Sequence, residues 1–345
     1  MNYKLLENER TSEYYALDVF KLIFAFAVVA IHIDPLVNMA GSTIYKVYKS
    51  LIYLAVPFFF TVSGFLMGEK LSLMDNSEAE DEFLNRLIKK YVHLYLIWTL
   101  IYAPLAVWHY IYENMQVLAV VKSVVIGFFW FGENYNSWIL WYLLSSVYSL
   151  IFIYVLRKLN ISYSHILIVG TIIALIAIFL VDYKNGLFEF PGTIGIVCGK
   201  ISKVGARVTT GFFYLPLGIV LSLKKNGNSR GTLWGGIIIG IMFEVVSLGY
   251  GFIYELGRAL ATIGIVCALV NVMLKPGKQY LLFRKLSSDL YYWHLWIWTV
   301  LSSIAFGFGN THKGLKAYLA VVGIVIIGFG VKQIFLSKGK NRMRN

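Results

Sequence analysis

The sequence predicts an all-α, polytopic integral membrane protein with about ten transmembrane helices and both termini on the cytoplasmic side. Three observations lead there. Of 345 residues, 58% are hydrophobic and 14% charged, where a soluble domain has roughly 45–50% and about 25%. The apolar residues form blocks close to the ~20 needed to cross a hydrocarbon core of ~30 Å. The basic residues punctuate these blocks and concentrate on alternate sides of them.

Taken in order, the predicted spans are Tyr15–Ile33, Tyr48–Gly68, Tyr91–Tyr112, Trp138–Leu156, Tyr163–Asp182, Ala206–Leu223, Gly231–Phe252, Leu256–Leu274, Leu286–Phe308 and Leu315–Leu336. The first block is too long for a cleavable leader and lacks a small-residue cleavage site after His32, so it is read as a retained span. Val117–Phe131 is apolar but short and carries Lys122; it is read as a re-entrant or interfacial helix. With the N-terminus inside, the inner segments hold 19 Lys and Arg residues and the outer segments nine, and an even number of spans follows. The expected organisation is one membrane domain over residues 1–345, with a cytoplasmic loop at 69–90, a basic tail at 337–345, and no repeat or appended soluble domain.

Composition also excludes function classes. The net charge of +13 is dispersed between apolar blocks rather than gathered on a solvated face, so no nucleic-acid partner is expected. Cys198 and Cys267 have no metal-ligand spacing, and neither a metal site nor a disulfide framework is expected.

Charged side chains within spans cost about 2.5–3.5 kcal/mol each on insertion scales and ask for a partner or a purpose. In the first span Lys21 and His32 lie eleven residues apart, close to three helical turns, on one face and about 16 Å apart along the axis. Asp18, three residues before Lys21, is placed to pair with it. The plain alternatives are a snorkelling Lys21 and a His32 that marks the helix end. In the ninth span Ser287, Tyr291 and His294 recur at i, i+4 and i+7 on a single face, which puts a histidine near mid-membrane; its plain alternative is a structural hydrogen bond to a neighbouring helix. Glu244 and Arg258 suit an ion pair across helices, Arg207 an interfacial anchor, and Trp138 and Trp141 an aromatic belt. His93, His109 and His165 fall near span ends, where such residues are ordinary.

These residues occur in an order that resembles the membrane-bound acyltransferase family 3. Asp18-x-x-Lys21, ten residues, then His32-x-x-Pro35 is similar to the family's first helix. Val56-Pro57-Phe58-Phe59-Phe60-Thr61-Val62-Ser63-Gly64-Phe65-Leu66 is similar to its second, and Arg86-Leu87-Ile88-Lys89-Lys90 to the basic stretch before its third. Trp138-Ile139-Leu140-Trp141-Tyr142-Leu143, then Arg207 ahead of Gly211–Gly218, then Ser287-x3-Tyr291-x2-His294 resemble its later landmarks. The pattern runs from residue 18 to residue 294. The first two helices also resemble the membrane domain of a branch fused to a serine racemase and associated with serine uptake.

The resemblance implies an enzyme, an O-acetyltransferase. It would move an acyl group, usually acetyl, from cytoplasmic acyl-coenzyme A to a hydroxyl of an envelope glycan or similar acceptor, at the cell membrane. It implies a catalytic His32, grouped with Asp18 and Lys21, and donor handling by Lys21, Arg86, Lys89 and Lys90. Acetyl-coenzyme A enters as co-substrate, with no tightly bound cofactor. Acceptor contacts or support fall to Arg207, Ser287, Tyr291, His294, Trp138, Glu244 and Arg258. Lys21 stands where most members carry Arg, and an ammonium lacks the planar two-point contact of a guanidinium. The rival class is a transporter of a small polar solute such as an amino acid, which buried His, Glu and Lys would also suit; paired halves with matching broken helices are not evident. A non-catalytic scaffold would leave the shared face of Lys21 and His32 without a purpose.

Overall fold

A computed structural model describes residues 14–184, 186, 209–224, 230–246, 251–307 and 311–342. Among these residues there are helices joined by turns and no strand. Among the described residues seven helices are long and apolar enough to cross a membrane, and the chain folds as two compact units, residues 1–55 with 273–345, and residues 56–272.

In the first unit α1 spans Tyr15–Ile33. It stops because Asp34 takes the left-handed conformation (φ 50°, ψ 72°), and its N–H returns to the Ala30 carbonyl, one of the few non-glycine residues that tolerates this. A short 3₁₀ turn, Val37–Met39, leads to α2, Thr43–Tyr53, where the Ser42 hydroxyl accepts from the Tyr45 N–H at 3.1 Å. Later in the chain come α11 (Gln279–Phe306) and α12 (Leu315–Arg342).

α1 and α11 run parallel. Tyr15 stacks on Tyr280, Asp18 binds Arg284, the Lys21 carbonyl accepts from Ser287, and His32 meets His294, so the numbering rises together along both helices. α12 runs the opposite way. The Gly314 N–H donates to the Ile33 carbonyl, Tyr318 to the Phe26 carbonyl, and Lys332 reaches Asp289, so α12 ends where α1 begins. Two parallel crossing helices require an odd number of crossings between them, a parity that the seven predicted intervening spans satisfy.

The second unit holds α3 (Ala55–Leu71), α4 (Ser77–Tyr112), α5 (Val117–Ile126), α6 (Leu140–Lys158), α7 (Tyr163–Lys184), α8 (Thr209–Leu223), α9 (Arg230–Val246) and α10 (Gly251–Val270). Its core gathers Met67, Leu84, Leu150, Ile153, Ile166, Leu215 and Ile219. α3 and α8 touch backbone to backbone: a Cβ at Gly64 would fall on the Leu215 carbonyl, and one at Gly218 on the Thr61 carbonyl. Without a hydrophobic drive between helices in lipid, small residues that permit such approach supply the packing. Large apolar side chains face outward, among them Leu100, Ile111, Ile327 and Phe335, as lipid rather than water requires.

The structure revises several sequence expectations. The predicted second span starts earlier, with α2 and α3 abutting at Leu54 to run Thr43–Leu71. Most of the segment 69–90 is helix rather than loop, because Asn76 caps α4 by accepting from the Ala79 N–H at 2.8 Å and Glu78 and Glu80 occupy the first turn, where the helix dipole favours carboxylates. α4 is 36 residues long, about 54 Å at ~1.5 Å per residue, far more than one crossing needs. Val117–Phe131 is helical but short, closing in a π turn over Gly127–Phe131. The described parts of the sixth and seventh predicted spans are the helices Thr209–Leu223 and Arg230–Val246, and α11 stands outside the seven because its Tyr, Trp, Ser and His residues lower its hydropathy.

The α3–α8 contact gives a direct test. Gly64→Val should lower the thermal unfolding midpoint in detergent, costing about 1–3 kcal/mol through overpacking. Gly328→Ala, on α12 with nothing within 4 Å of its built Cβ, should leave it unchanged or slightly raised.

Candidate functional site in the first unit

At the start of α1, Asp18 is 2% exposed. Arg284 grips it with two donors, Nη2 to Oδ2 at 2.7 Å and Nε to Oδ1 at 3.2 Å. Lys21 reaches the same carboxylate at 3.4 Å. The expected Asp18–Lys21 pair therefore exists, but the closer and two-point partner comes from α11. One turn further along α11, the Ser287 hydroxyl donates to the Lys21 carbonyl at 3.1 Å. Arg284 thus provides, beside Lys21, the planar fork that position 21 lacks.

Toward the other end of α1, His32 is half-buried and lies against His294, ring centroids 5.3 Å apart and planes tilted by 33°. His294 has no exposed surface, and its Nδ1 bonds the Leu290 carbonyl at 2.8 Å. Two residues beyond His32, buried Asp34 accepts from the Tyr45 hydroxyl at 2.5 Å and from Lys49 at 2.9 Å. Lys49 also sits 5.2 Å from the Tyr45 ring centroid and 5.6 Å from that of Tyr53. This cluster ties α2 to the end of the helix that bears His32.

Of the predicted residues, Asp18, Lys21, His32, Ser287 and His294 come together along the α1–α11 seam. Tyr291 is partly buried on α11, edge-on to Tyr292. The others belong to the second unit. Arg86, Lys89 and Lys90 are exposed at i, i+3 and i+4 of α4, one face of a helix, with Arg86 3.5 Å from Glu82. Trp138 sits in the turn before α6, and Arg258 pairs with Glu255 of its own helix at 2.8 Å. The Glu244 side chain and Arg207 lie outside the described residues. Among the described residues no group of three His, Cys, Asp or Glu side chains could hold a metal ion.

Sequence reasoning missed Arg284, counted there as one more inner-side cation although it lies three residues, one turn, before Ser287. It also missed Asp34 with Tyr45 and Lys49, which join different elements. In the second unit it read Glu80 as part of an acidic loop. Glu80 instead accepts from Arg157 at 2.5 and 3.0 Å and from Tyr163 at 2.6 Å, while Lys158 pairs with Asp81. The acidic segment therefore fastens α4 to α6 and α7.

Removing Arg284, whose side chain is partly exposed, leaves the buried Asp18 carboxylate with the longer Lys21 contact alone. Arg284→Gln should cost about 1–3 kcal/mol in denaturation assays in detergent. Combining it with Asp18→Asn should recover part of that loss, because no buried carboxylate then remains.

Comparison with known proteins adds to this geometry. A family model described as an acyltransferase domain matches residues 14–336. An amino-acid racemase of Enterococcus faecalis is 26% identical over 213 residues, 61% of this chain and 28% of that protein. Another amino-acid racemase of Enterococcus faecalis is 25% identical over 338 residues, 93% of this chain and 46% of its own length. A serine/alanine racemase of Enterococcus gallinarum is 30% identical over 123 residues, 35% of this chain and 17% of that protein. The chain thus spans less than half the length of these curated relatives. No solved structure matches. The family match runs from the first residue of the described α1 seam, through both units, to α12, and the chain accordingly belongs to the acyltransferase domain family as a multi-pass membrane protein.

Proposed function

We propose that this protein transfers an acyl group, most simply acetyl, from cytoplasmic acyl-coenzyme A to a hydroxyl of an extracytoplasmic glycan or similar envelope molecule at the cell membrane. The observation that carries the reading is the α1–α11 seam, which holds a cation cluster at one end and a half-buried histidine at the other. Acyl transfer from a thioester to an alcohol needs a base for the hydroxyl proton, positive groups near developing negative charge, and a grip on the donor.

His32 is the general base, since neutral imidazole accepts a proton near pH 7. Lys21 stands eleven residues earlier, on the side where coenzyme A is made in the proposed topology. Arg86, Lys89 and Lys90, on one exposed face of α4, bind donor phosphates. Asp18 holds Lys21 and Arg284 in place. Tyr291 and Ser287 on α11, with Trp138, Arg207, Glu244 and Arg258 in the second unit, are assigned to the acceptor or to support.

A second reading, which rests on the buried ionisable residues within the spans, is a transporter of a small polar solute such as an amino acid. One experiment separates the two. Purified protein in lipid nanodiscs is given radiolabelled acetyl-coenzyme A, alone and with candidate hydroxyl acceptors. The native chain should release or transfer label. His32→Ala should lose about 10²–10⁴-fold while remaining folded, and Lys89→Ala combined with Lys90→Ala should raise KM for the donor. Undiminished turnover in His32→Ala would remove that residue from the chemistry. No turnover together with uptake of a labelled amino acid into proteoliposomes would favour the transporter.

A further inference from the structure

The α1–α11 seam contains one group that the proposed reaction has not yet used. His294 has no exposed surface, and its Nδ1 lies 2.8 Å from the Leu290 carbonyl. A carbonyl oxygen only accepts, so Nδ1 carries the hydrogen, and in the neutral ring Nε2 carries a lone pair. Nε2 is buried without a hydrogen-bond partner. Buried acceptors are ordinarily satisfied, and an orphan beside a candidate base points to a purpose. The neighbouring ring is His32, 5.3 Å away between centroids, close enough for two imidazoles to share one proton after a small turn of either ring.

We infer that His294 is the positioning residue of a two-histidine relay, in which its Nε2 accepts the N–H of His32 and so orients and supports His32 as a base. This rests on the reading of His32 as the general base. The order is acceptor hydroxyl, His32, His294 and the Leu290 carbonyl. As the alcohol oxygen bonds to the thioester carbonyl carbon, its proton passes to the ring nitrogen of His32 that faces away from His294. The opposite N–H of the resulting imidazolium donates to His294. When the carbon–sulfur bond breaks, the departing thiolate takes the proton from His32, leaving ester and free coenzyme A. His294 gains and loses a hydrogen bond but no net proton.

The arrangement follows the general logic by which a nucleophile or base is oriented by a third group. The usual third group is a carboxylate; here it is neutral, which suits a site that lipid surrounds, where an added unpaired charge would be costly. The titratable groups of the elements packed around the pair are Asp34 with Lys49, Tyr45 and Tyr48 on the α1–α2 side, Tyr291 on α11 and Tyr318 on α12. Asp34, the carboxylate among these, is held through Oδ2 by Tyr45 and Lys49 and keeps an unpartnered Oδ1, whereas Nε2 of His294 is the unpartnered acceptor on the ring that lies against His32.

The test compares His294→Leu and His294→Gln with the native chain in the nanodisc assay, reading kcat, KM for both substrates and the pH profile of kcat. His294→Leu should lower kcat on the order of a hundredfold with both KM values little changed. Its acidic limb should move to lower pH, because an imidazolium at His32 that has lost its acceptor gives up its proton more readily. His294→Gln, which can present an amide oxygen near the Nε2 position, should restore part of kcat and move the limb back. A purely structural histidine would lower folded yield and thermal midpoint while leaving kcat per folded protein and the limb in place, and that result would overturn the relay. Full activity of His32→Ala would instead overturn the base assignment, so the two failures are distinct.

Discussion

A carboxylate buried at the start of the first membrane helix constrains the rest of the first unit. Asp18 cannot remain charged at 2% exposure without partners, and the chain satisfies it with a two-point guanidinium from α11 and an ammonium from its own helix. Because Arg284 and Asp18 must meet, α1 and α11 must run side by side in a fixed register. That register places Ser287 under the Lys21 carbonyl and His294 beside His32. The site is thus a consequence of how the bundle neutralises one charge.

The second unit is organised by a different constraint, close approach of backbones. Three of its close glycine contacts lie within the segments that resemble family signatures, Gly64 in one and Gly211 and Gly218 in the other, while others such as Gly170 and Gly240 lie outside them. Gly211 faces the Ser145 and Ser149 hydroxyls of α6, and its N–H donates to Ser145 at 3.3 Å. Phe60 packs on Tyr142 with centroids 4.3 Å apart. Much of what makes those motifs recognisable is therefore packing: a glycine lets helices touch, and an aromatic fills the space beside it. The residues with unsatisfied or ionic chemistry in the site lie instead on α1 and α11.

Some of the site was legible in the sequence. The eleven-residue interval between Lys21 and His32 and the Ser287, Tyr291, His294 stripe were visible because both sit within single helices, where spacing alone decides the face. Arg284 was hidden because its partner is 266 residues away, and a lysine three residues from Asp18 offered a nearer explanation. Asp34 was hidden for the same reason, since Tyr45 and Lys49 reach it only after the chain turns through a 3₁₀ segment. The 69–90 segment misled because acidic residues near a membrane read as a solvated loop, whereas Asn76 and the helix dipole make them the first turns of α4.

By itself the sequence determined that this chain lives in lipid, that it is helical, where most helices begin and end, and that two histidines and a lysine lie on faces that lipid alone would not tolerate. Those properties are local: hydropathy, helical period and charge bias each act over one or two turns. Only the tertiary structure decided that α1 and α11 are parallel neighbours, that Arg284 rather than Lys21 is the principal partner of Asp18, and that His294 is sealed against His32. Such pairings depend on which helices share an interface. In a bilayer, apolar faces toward lipid and toward protein are the same to a sequence, so helix partners emerge only from the folded arrangement of polar groups and glycines.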